Sequence, residues 1–473
     1  MTNTELAPAP APPPKVILAE SAVLKLRGAV RGQVIEPGHE AYDEARKVYN
    51  AMHDRRPALM VHPTGVADVR AVVRFAAEQG LALAVRGGGH SVPGFGTADG
   101  ALVVDLRRMR GIRVDPQRKR VRAEGGCTWG ELDHATHAFG MATPGGVVST
   151  TGIAGLTLGG GLGYLTRCAG LSCDNLVSAD VVTADGRFLT ASAKQNEDLF
   201  WALRGGGGNF GVVTSFEYRM HPVDDIYGGA IFFPVDGDVL RAYEDFIGRA
   251  PRKLGAVFAF TKAAPLPFLP ADWHGRPVAG VVVCWSGRPE RGEKAVAPLR
   301  RMGQVVGSFL DRMPYPRINT LFDDLLPAGL RQYWKGNFVR RLTGEAVAAH
   351  VEHAMRTPTI ETGTYLMPID GAVHSVPHEA TAFATRDASF ATVISGAWPD
   401  RADDEANVRW VREYWEALRP HSEESGYVNF MSADDAERVR SNYGSHYERL
   451  VGIKTRYDPA NMFRVNHNIR PAS

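Results

Sequence analysis

The chain has 473 residues, too many for one ordinary hydrophobic core, so two or three domains are expected. Hydrophobic residues make up 44% and charged residues 22%, the profile of a soluble globular protein. A net charge of +2 excludes a strong field for nucleic acid or an anionic membrane, and no stretch reaches the ~18 apolar residues of a membrane span.

Met1 to Pro14 is rich in Ala and Pro and lacks a basic start followed by an apolar run. With the lead-in to residue 29 it is expected to be a flexible tail rather than a secretion signal, which makes a cytoplasmic location the default. Ala58–Val61 reads as a short strand, and Thr64 as the cap of a helix carried by Val66, Val69, Val73 and Ala76 and closed by Gly80. A second strand, Leu81–Val85, runs into Arg86-Gly87-Gly88-Gly89-His90-Ser91. Ala101–Leu106 is another strand, and Thr128 opens a helix to about Phe139. Between them Arg107, Arg108, Arg110, Arg113, Arg118, Lys119, Arg120 and Arg122 form the one local basic excess, read as a solvated hairpin face rather than a polyanion site.

A second glycine-dense region runs from Gly145 to Gly163. The strand Ala179–Thr183, a helix around Asp198–Leu203, Gly205 to Gly208 and the β-type run Gly211–Tyr218 follow. Beyond His221 the pattern changes to strands (Ala230–Phe233, Val278–Trp285, Tyr365–Pro368, Ala391–Ala397) alternating with amphipathic helices, which predicts an antiparallel sheet with helical cover. Four cysteines (Cys127, Cys168, Cys173, Cys284) match no zinc motif; Cys168 and Cys173 could bridge, but a reduced pair is the expectation. His350 and His353, three apart on a helix, read as a surface helix rather than a metal site, and His374 and His378 make no better case. No metal is expected.

The sharpest feature is the glycine triplet before His90. Glycines leaving a strand let backbone approach a ligand closely, and their consecutive N–H groups can cradle a pyrophosphate. The pattern is neither G-x-G-x-x-G opening a helix nor a Walker loop, which argues against NAD and ATP. Four further segments accompany it: Gly145–Gly163, Asp174-Asn175, Gly205–Val213, and a C-terminal set of Tyr427-Val428-Asn429-Phe430, Tyr457-Asp458-Pro459-Ala460-Asn461-Met462-Phe463 and Asn466.

In this order and spacing the segments resemble the berberine-bridge-enzyme-like FAD-linked oxidases of the vanillyl-alcohol-oxidase (PCMH-type FAD-binding) superfamily, of a bacterial secondary-metabolism type. The resemblance covers about Ala41 to Pro471. It implies an α+β fold: after the tail and lead-in 1–29, an FAD-binding domain of two α+β subdomains over 30–221, and a substrate domain with a large antiparallel sheet covered by helices over 222–420. A C-terminal segment, 421–473, would complete the FAD domain and bring Tyr427 and Asn429 near the flavin ring.

Carried over residue by residue, Val85, Arg86, Gly87, Gly88, Gly89, His90 and Ser91 match the family's pyrophosphate loop, with His90 at the histidine that bonds the flavin 8α-methyl carbon. Val148, Thr150, Thr151, Gly152, Ile153, Ala154, Gly155, Leu156, Leu162 and Val213 match positions along the cofactor. Members that attach FAD twice use a cysteine where this chain has Val148, so a single covalent link to His90 is expected. Sugar-oxidising members have a tyrosine base where this chain has Phe430, which argues against that mechanism here. Compact Thr151 stands where a bulky leucine blocks oxygen in some relatives; this favours an oxidase, and simple packing is the other reading. The remaining candidate catalytic groups are Tyr427, bonding substrate or flavin, and Glu361 with Tyr365, four apart on one expected strand face. Glu361 reads equally as a general base or a strand-edge salt bridge. Trp334 reads as pocket lining or core.

The resemblance thus implies an oxidase of a small aromatic, alkaloid-like or polyketide-like metabolite, with O2 reoxidising the flavin to give H2O2, acting as a monomer or homodimer. The alternatives are a dehydrogenase using a non-oxygen acceptor and a non-catalytic flavin-binding protein.

Overall fold

The computed structural model describes residues 16–472, so the expected tail Met1 to Pro14 lies outside the described residues. The lead-in differs from expectation: Glu20–Ala29 is a helix, because Val23 and Leu26 share a face and bury it against the helix Val66–Glu78.

Three large sheets and a two-stranded ribbon, Met141–Ala142 with His221–Pro222, organise the described residues. The first has four strands in the order Gln33–Ile35, Leu59–His62, Leu102–Asp105, Leu83–Arg86, with the last three parallel. Its parallel strands are almost wholly apolar, as a sheet buried on both faces requires. Thr64 does not cap the following helix. Gly65 takes the cap position without a side-chain bond, and the Asp68 carboxylate accepts instead from the backbone N–H groups of Thr64, Arg31 and Gly32 (2.9, 3.0 and 3.0 Å).

The second sheet has five antiparallel strands: Ile112–Asp115, Arg120–Glu124, Val212–Arg219, Leu176–Val182 and Phe188–Ser192. The basic run lies on the first two of these and the turn before them, with Arg107, Arg113, Arg118 and Arg122 exposed. All four cysteines are free, and Cys127 is buried just before the helix Trp129–His137.

The chain then enters a seven-stranded, fully antiparallel sheet ordered Gly307–Pro314, Asp225–Pro234, Pro277–Trp285, Leu254–Lys262, Gly363–Pro368, Phe390–Trp398, Arg331–Val339. One face packs on the glycine-rich segment around Leu162 to Cys173 and on Tyr427. The other is covered by the helices Gly237–Ile247, Gly344–Ala354 and Asp404–Leu418. The helix carrying His350 and His353 covers the outer face of the sheet, with Glu345, Ala348 and Glu352 exposed as a surface helix requires. It packs beside Asp404–Leu418 and Gly237–Ile247, both histidines are on its buried face, and His350 Nδ1 meets the Tyr414 hydroxyl at 2.6 Å.

The last segment returns to the second sheet. Lys454, fully buried on the helix Tyr447–Tyr457, donates to the carbonyls of Asn209 (2.8 Å) and Phe463 (2.9 Å) and to the Asp458 carboxylate (2.7 Å). Asp458 in turn accepts from the N–H groups of Met462 and Phe463, both at 2.8 Å. A buried charge pair holds only when its remaining lone pairs and protons are met, and here they are. This knot fixes residues 458–463 against the Gly205–Asn209 loop.

Candidate active site

The strand Leu83–Arg86 delivers the backbone of Gly87–Ser91 to the rim of one continuous cavity of about 310 Å³. Arg86 lines it too, but its guanidinium is committed elsewhere. Its guanidinium is buried and donates to the carbonyls of Gly96 (2.9 Å) and Ala45 (2.5 Å) and to Asp105 (3.2 Å), clamping the loops that flank the glycines. Burial lowers its pKa to about 10.

Opposite this loop stands the segment Val148–Leu156. The capped start of the helix Trp129–His137 positions it: Thr128 and Glu131 close a capping box, and the free N–H groups of Trp129 and Gly130 donate to the carbonyls of Thr151 (3.0 Å) and Ser149 (2.8 Å). The two loops touch backbone to backbone. A Cβ at either Gly88 or Gly152 would overlap the main chain of the other, so glycine is required at both.

The contact puts the Thr150 Oγ1 2.9 Å from His90 Nε2 and the Thr151 Oγ1 3.4 Å from His90 Nδ1. Tyr49 stacks on the imidazole with ring centres 3.8 Å apart and an angle of 20°. Burial lowers the His90 pKa to about 4, so the ring is neutral at physiological pH and keeps one nitrogen lone pair.

Of the residues expected along a cofactor, Val85 to Ser91, Val148, Thr151, Gly152, Ala154, Gly155, Leu156, Leu162, Val213, Tyr427 and Asn429 line this cavity. Thr150 and Ile153 do not: Thr150 reaches the cavity only through His90, and Ile153 is buried in the core of the second sheet. The Tyr427 hydroxyl accepts from the Gly161 N–H (2.8 Å) and the Asn429 amide (2.7 Å), and its pKa is raised by burial. It is a neutral phenol that braces the second glycine loop.

The large sheet closes one end of the cavity with Trp334 and Met367, beside Phe430, Tyr427 and Leu162. Phe430 meets Tyr427 and Trp334 edge-on, at 4.8 and 6.0 Å. Trp334 is thus lining rather than core, and its buried Nε1 has no partner among the described residues.

Glu361 and Tyr365 are not brought to the cavity. Tyr365 lies on the strand Gly363–Pro368 among the residues between the sheets, its pKa raised to about 12 by burial, outside the lining. Glu361 precedes the strand on a bend, so the two do not share a strand face. Thr359 and Thr362 cause the bend by bonding each other (2.9 Å) and the Ala397 carbonyl (2.7 and 3.0 Å). Sequence reading also missed Tyr49, Val92, Phe95 and His467; Phe95 and His467 meet edge-on at 4.9 Å in the cavity wall.

A family profile described as an FAD binding domain matches residues 57–192, and one described as berberine and berberine like matches 426–470. An FAD-linked oxidoreductase of Dictyostelium discoideum is 31% identical over 446 residues, covering 94% of this chain and 95% of that protein. The chain belongs to the berberine-like FAD-linked oxidoreductases. Among its members, the (R)-6-hydroxynicotine oxidase of Paenarthrobacter nicotinovorans is likewise 31% identical, covering 94% of this chain and 97% of that one. The crystal structure of 6-hydroxy-D-nicotine oxidase from Arthrobacter nicotinovorans superposes with a TM-score of 0.84 at 27% identity, over 94% of this chain and 98% of that one. A moss relative, Physcomitrella patens BBE-like 1, shares the fold with a TM-score of 0.85 at 23% identity, over 95% and 99% of the two chains. The protein is therefore an FAD-dependent oxidoreductase of α+β fold with a PCMH-type FAD-binding region. Its residues fit the cofactor: a cavity runs between two glycine loops whose backbones leave no room for a Cβ, and the loop that carries His90 lies along it. Among the described residues no helix is long and apolar enough to cross a membrane.

Proposed function

We propose that this chain holds FAD through one covalent bond from His90 and oxidises a small, uncharged aromatic metabolite, with O2 as electron acceptor and H2O2 as product. The observation that carries this reading is the combination of a neutral imidazole on the cavity wall with an apolar, carboxylate-free lining. Bound FAD supplies the two-electron chemistry, taking hydride from a substrate C–H bond and passing both electrons to oxygen.

Every other contribution comes from the chain. The neutral His90 ring offers a nitrogen nucleophile, held in place by Tyr49, Thr150 and Thr151. Val148, where some relatives carry a second attaching cysteine, has no side-chain nucleophile, which supports a single link. Among the described residues, no Asp or Glu lines the cavity, and Phe430 cannot take a proton. A hydride transfer would then leave the substrate proton to water or to the neutral His467 ring on the wall, as suits a substrate whose own heteroatom stabilises the developing cation. Trp334, Met367 and Phe430 provide flat apolar walls for an aromatic ring, and the unpaired Trp334 Nε1–H is a donor for one acceptor atom on it. Compact Thr151 leaves oxygen room beside the cofactor loop. The relatives named as nicotine oxidases act on a molecule of this kind.

The test has two arms. After acid precipitation of the native yellow protein, colour should stay in the pellet, and in His90→Ala it should wash into the supernatant. In stopped flow, air should reoxidise the reduced wild type within seconds; reoxidation over many minutes would refute the oxidase reading while leaving the covalent link standing.

A further inference from the structure

His378, Glu379 and His446 meet away from the cavity; none of them lines it. The first two stand on the single turn His378–Ala380, and His446 ends the turn Gly444–His446 that leads into the helix Tyr447–Tyr457. His446 Nε2 lies 3.1 Å from His378 Nδ1 and 3.4 Å from Glu379 Oε2. His378 Nδ1 lies 3.1 Å from Glu379 Oε1. Ligands about 2.0–2.1 Å from a tetrahedral zinc ion are separated by edges of about 3.3–3.4 Å. The two imidazole nitrogens stand about one such edge apart, and each faces a different oxygen of the Glu379 carboxylate at a similar spacing.

The frame around them is built. The Trp201 indole N–H donates to the Glu379 carbonyl (2.9 Å), the Arg204 guanidinium donates to the Ala380 carbonyl (2.7 Å), and the backbone N–H of Phe383 bonds back to Arg204 (3.1 Å). His446 is 2% exposed, meets Trp201 edge-on at 5.2 Å, and turns Nδ1 to the Ala382 carbonyl at 3.4 Å. A proton on Nδ1 there leaves the lone pair on Nε2, facing His378 and Glu379. Arg204 and Arg449, the nearby cations, are held on the Ala380 carbonyl and over the Trp201 ring.

In this tautomer the cluster's own hydrogen bonds leave lone pairs facing one another. His446 Nε2 and both Glu379 oxygens present lone pairs, and the one N–H that His378 can offer through Nδ1 cannot point at both neighbours. A cation placed among them satisfies all three ligands at once.

We infer that His378, Glu379 and His446 bind one divalent ion of the zinc class, with a fourth position open to water. The side chains of His378 and Glu379 are 49% and 72% exposed, so an entry path exists. Two imidazoles and a single carboxylate select zinc or cobalt(II) over magnesium or calcium, which prefer oxygen ligands alone. The bound ion is a clip: it ties the turn His378–Ala380 of the middle segment to the C-terminal helix that carries Lys454. Being remote from the cavity and, as zinc, redox-inert, it takes no part in electron transfer.

The experiment uses untagged, chelator-treated holoenzyme titrated with zinc chloride by calorimetry and with cobalt(II) chloride by absorption beyond the flavin band. One ion should bind per chain with a rise in Tm, and His378→Ala and Glu379→Gln, both on the exposed side, should each weaken binding at least about tenfold. Flavin content, unchanged in both variants, controls for folding. Absence of saturable binding below about 0.1 mM, or an unaltered affinity in His378→Ala, would overturn the site.

Discussion

At the scale of single residues, the reactivity proposed for His90 depends on orientation more than on contact with a base. The imidazole is clamped on one face by Tyr49, whose hydroxyl is anchored on the Leu326 carbonyl, and on its edge by two threonines. Tyr49→Ala removes the stack and leaves every glycine of the cradle in place. The variant should still capture FAD but attach it about ten- to a hundredfold more slowly, the usual cost of a loosened reacting group. Acid-precipitable flavin followed over time measures this, and an unchanged rate would assign the orientation to the threonines alone. Tyr49 and His467 were illegible in the sequence because each meets its partner across a long sequence separation, and nothing in their neighbouring residues announces it. Trp334 was ambiguous for a related reason: alternation along a strand says that a side chain faces inward, not whether a cavity lies there.

At the scale of elements, the two glycine loops were legible because close approach of two backbones leaves a mark in the sequence itself. A methyl group at residue 88 would strike the main chain of Gly152. Gly88→Ala should therefore part the loops, costing on the order of 1–3 kcal/mol and most of the bound flavin. Gly452→Ala, in the middle of an exposed helix with open space around it, is the control and should be neutral or stabilising by about 0.5–1 kcal/mol. Flavin-to-protein ratio and Tm separate the two. The large sheet was legible in part: four of its seven strands recur as β-branched and aromatic runs, while Leu254–Lys262, Gly307–Pro314 and Arg331–Val339 were not delimited. The start of one strand was not legible either: at Glu361 a pair of threonine hydroxyls outbids extension of the ladder, and a period-two pattern carries no sign of it. The helix with His350 and His353 was read rightly as a surface helix, but which face its histidines take was not legible, because a histidine suits a buried face and a solvated one alike.

At the scale of the whole molecule, two buried groups titrate in opposite senses. Burial holds His350 neutral with a pKa near 3, while its unfolded value is 6.5. The unfolded chain thus binds more protons between these limits, and this group's contribution is complete above about pH 6.5 and lost as the pH falls. Asp133 runs the other way. Burial raises it to about 7 against the opposing pull of the Asn319 amide, so it favours the fold at low pH and its contribution is lost as the pH rises from about 4 to 7. His90 and His467, both lowered to about 4 by burial, slope the same way as His350, so the wild type should gain stability as the pH rises from about 4.5 to about 6.5. Relative to it, His350→Gln should gain less over that range and Asp133→Asn more, each by up to about 1.4 kcal/mol per unit. Urea midpoints at pH 4.5 and 6.5 decide this; parallel profiles in wild type and variants would show that neither group changes ionisation on unfolding.

The Lys454–Asp458 knot has a consequence for when the enzyme becomes yellow. Residues 427–430 and 463–467 are walls of the same chamber that residues 86–91 open. A nascent chain still being elongated can pair its first two sheets, yet the groove it forms lacks one side. Flavin capture thus waits until residues 427–467 have been made and folded back, and that stretch acts as the latch on the first.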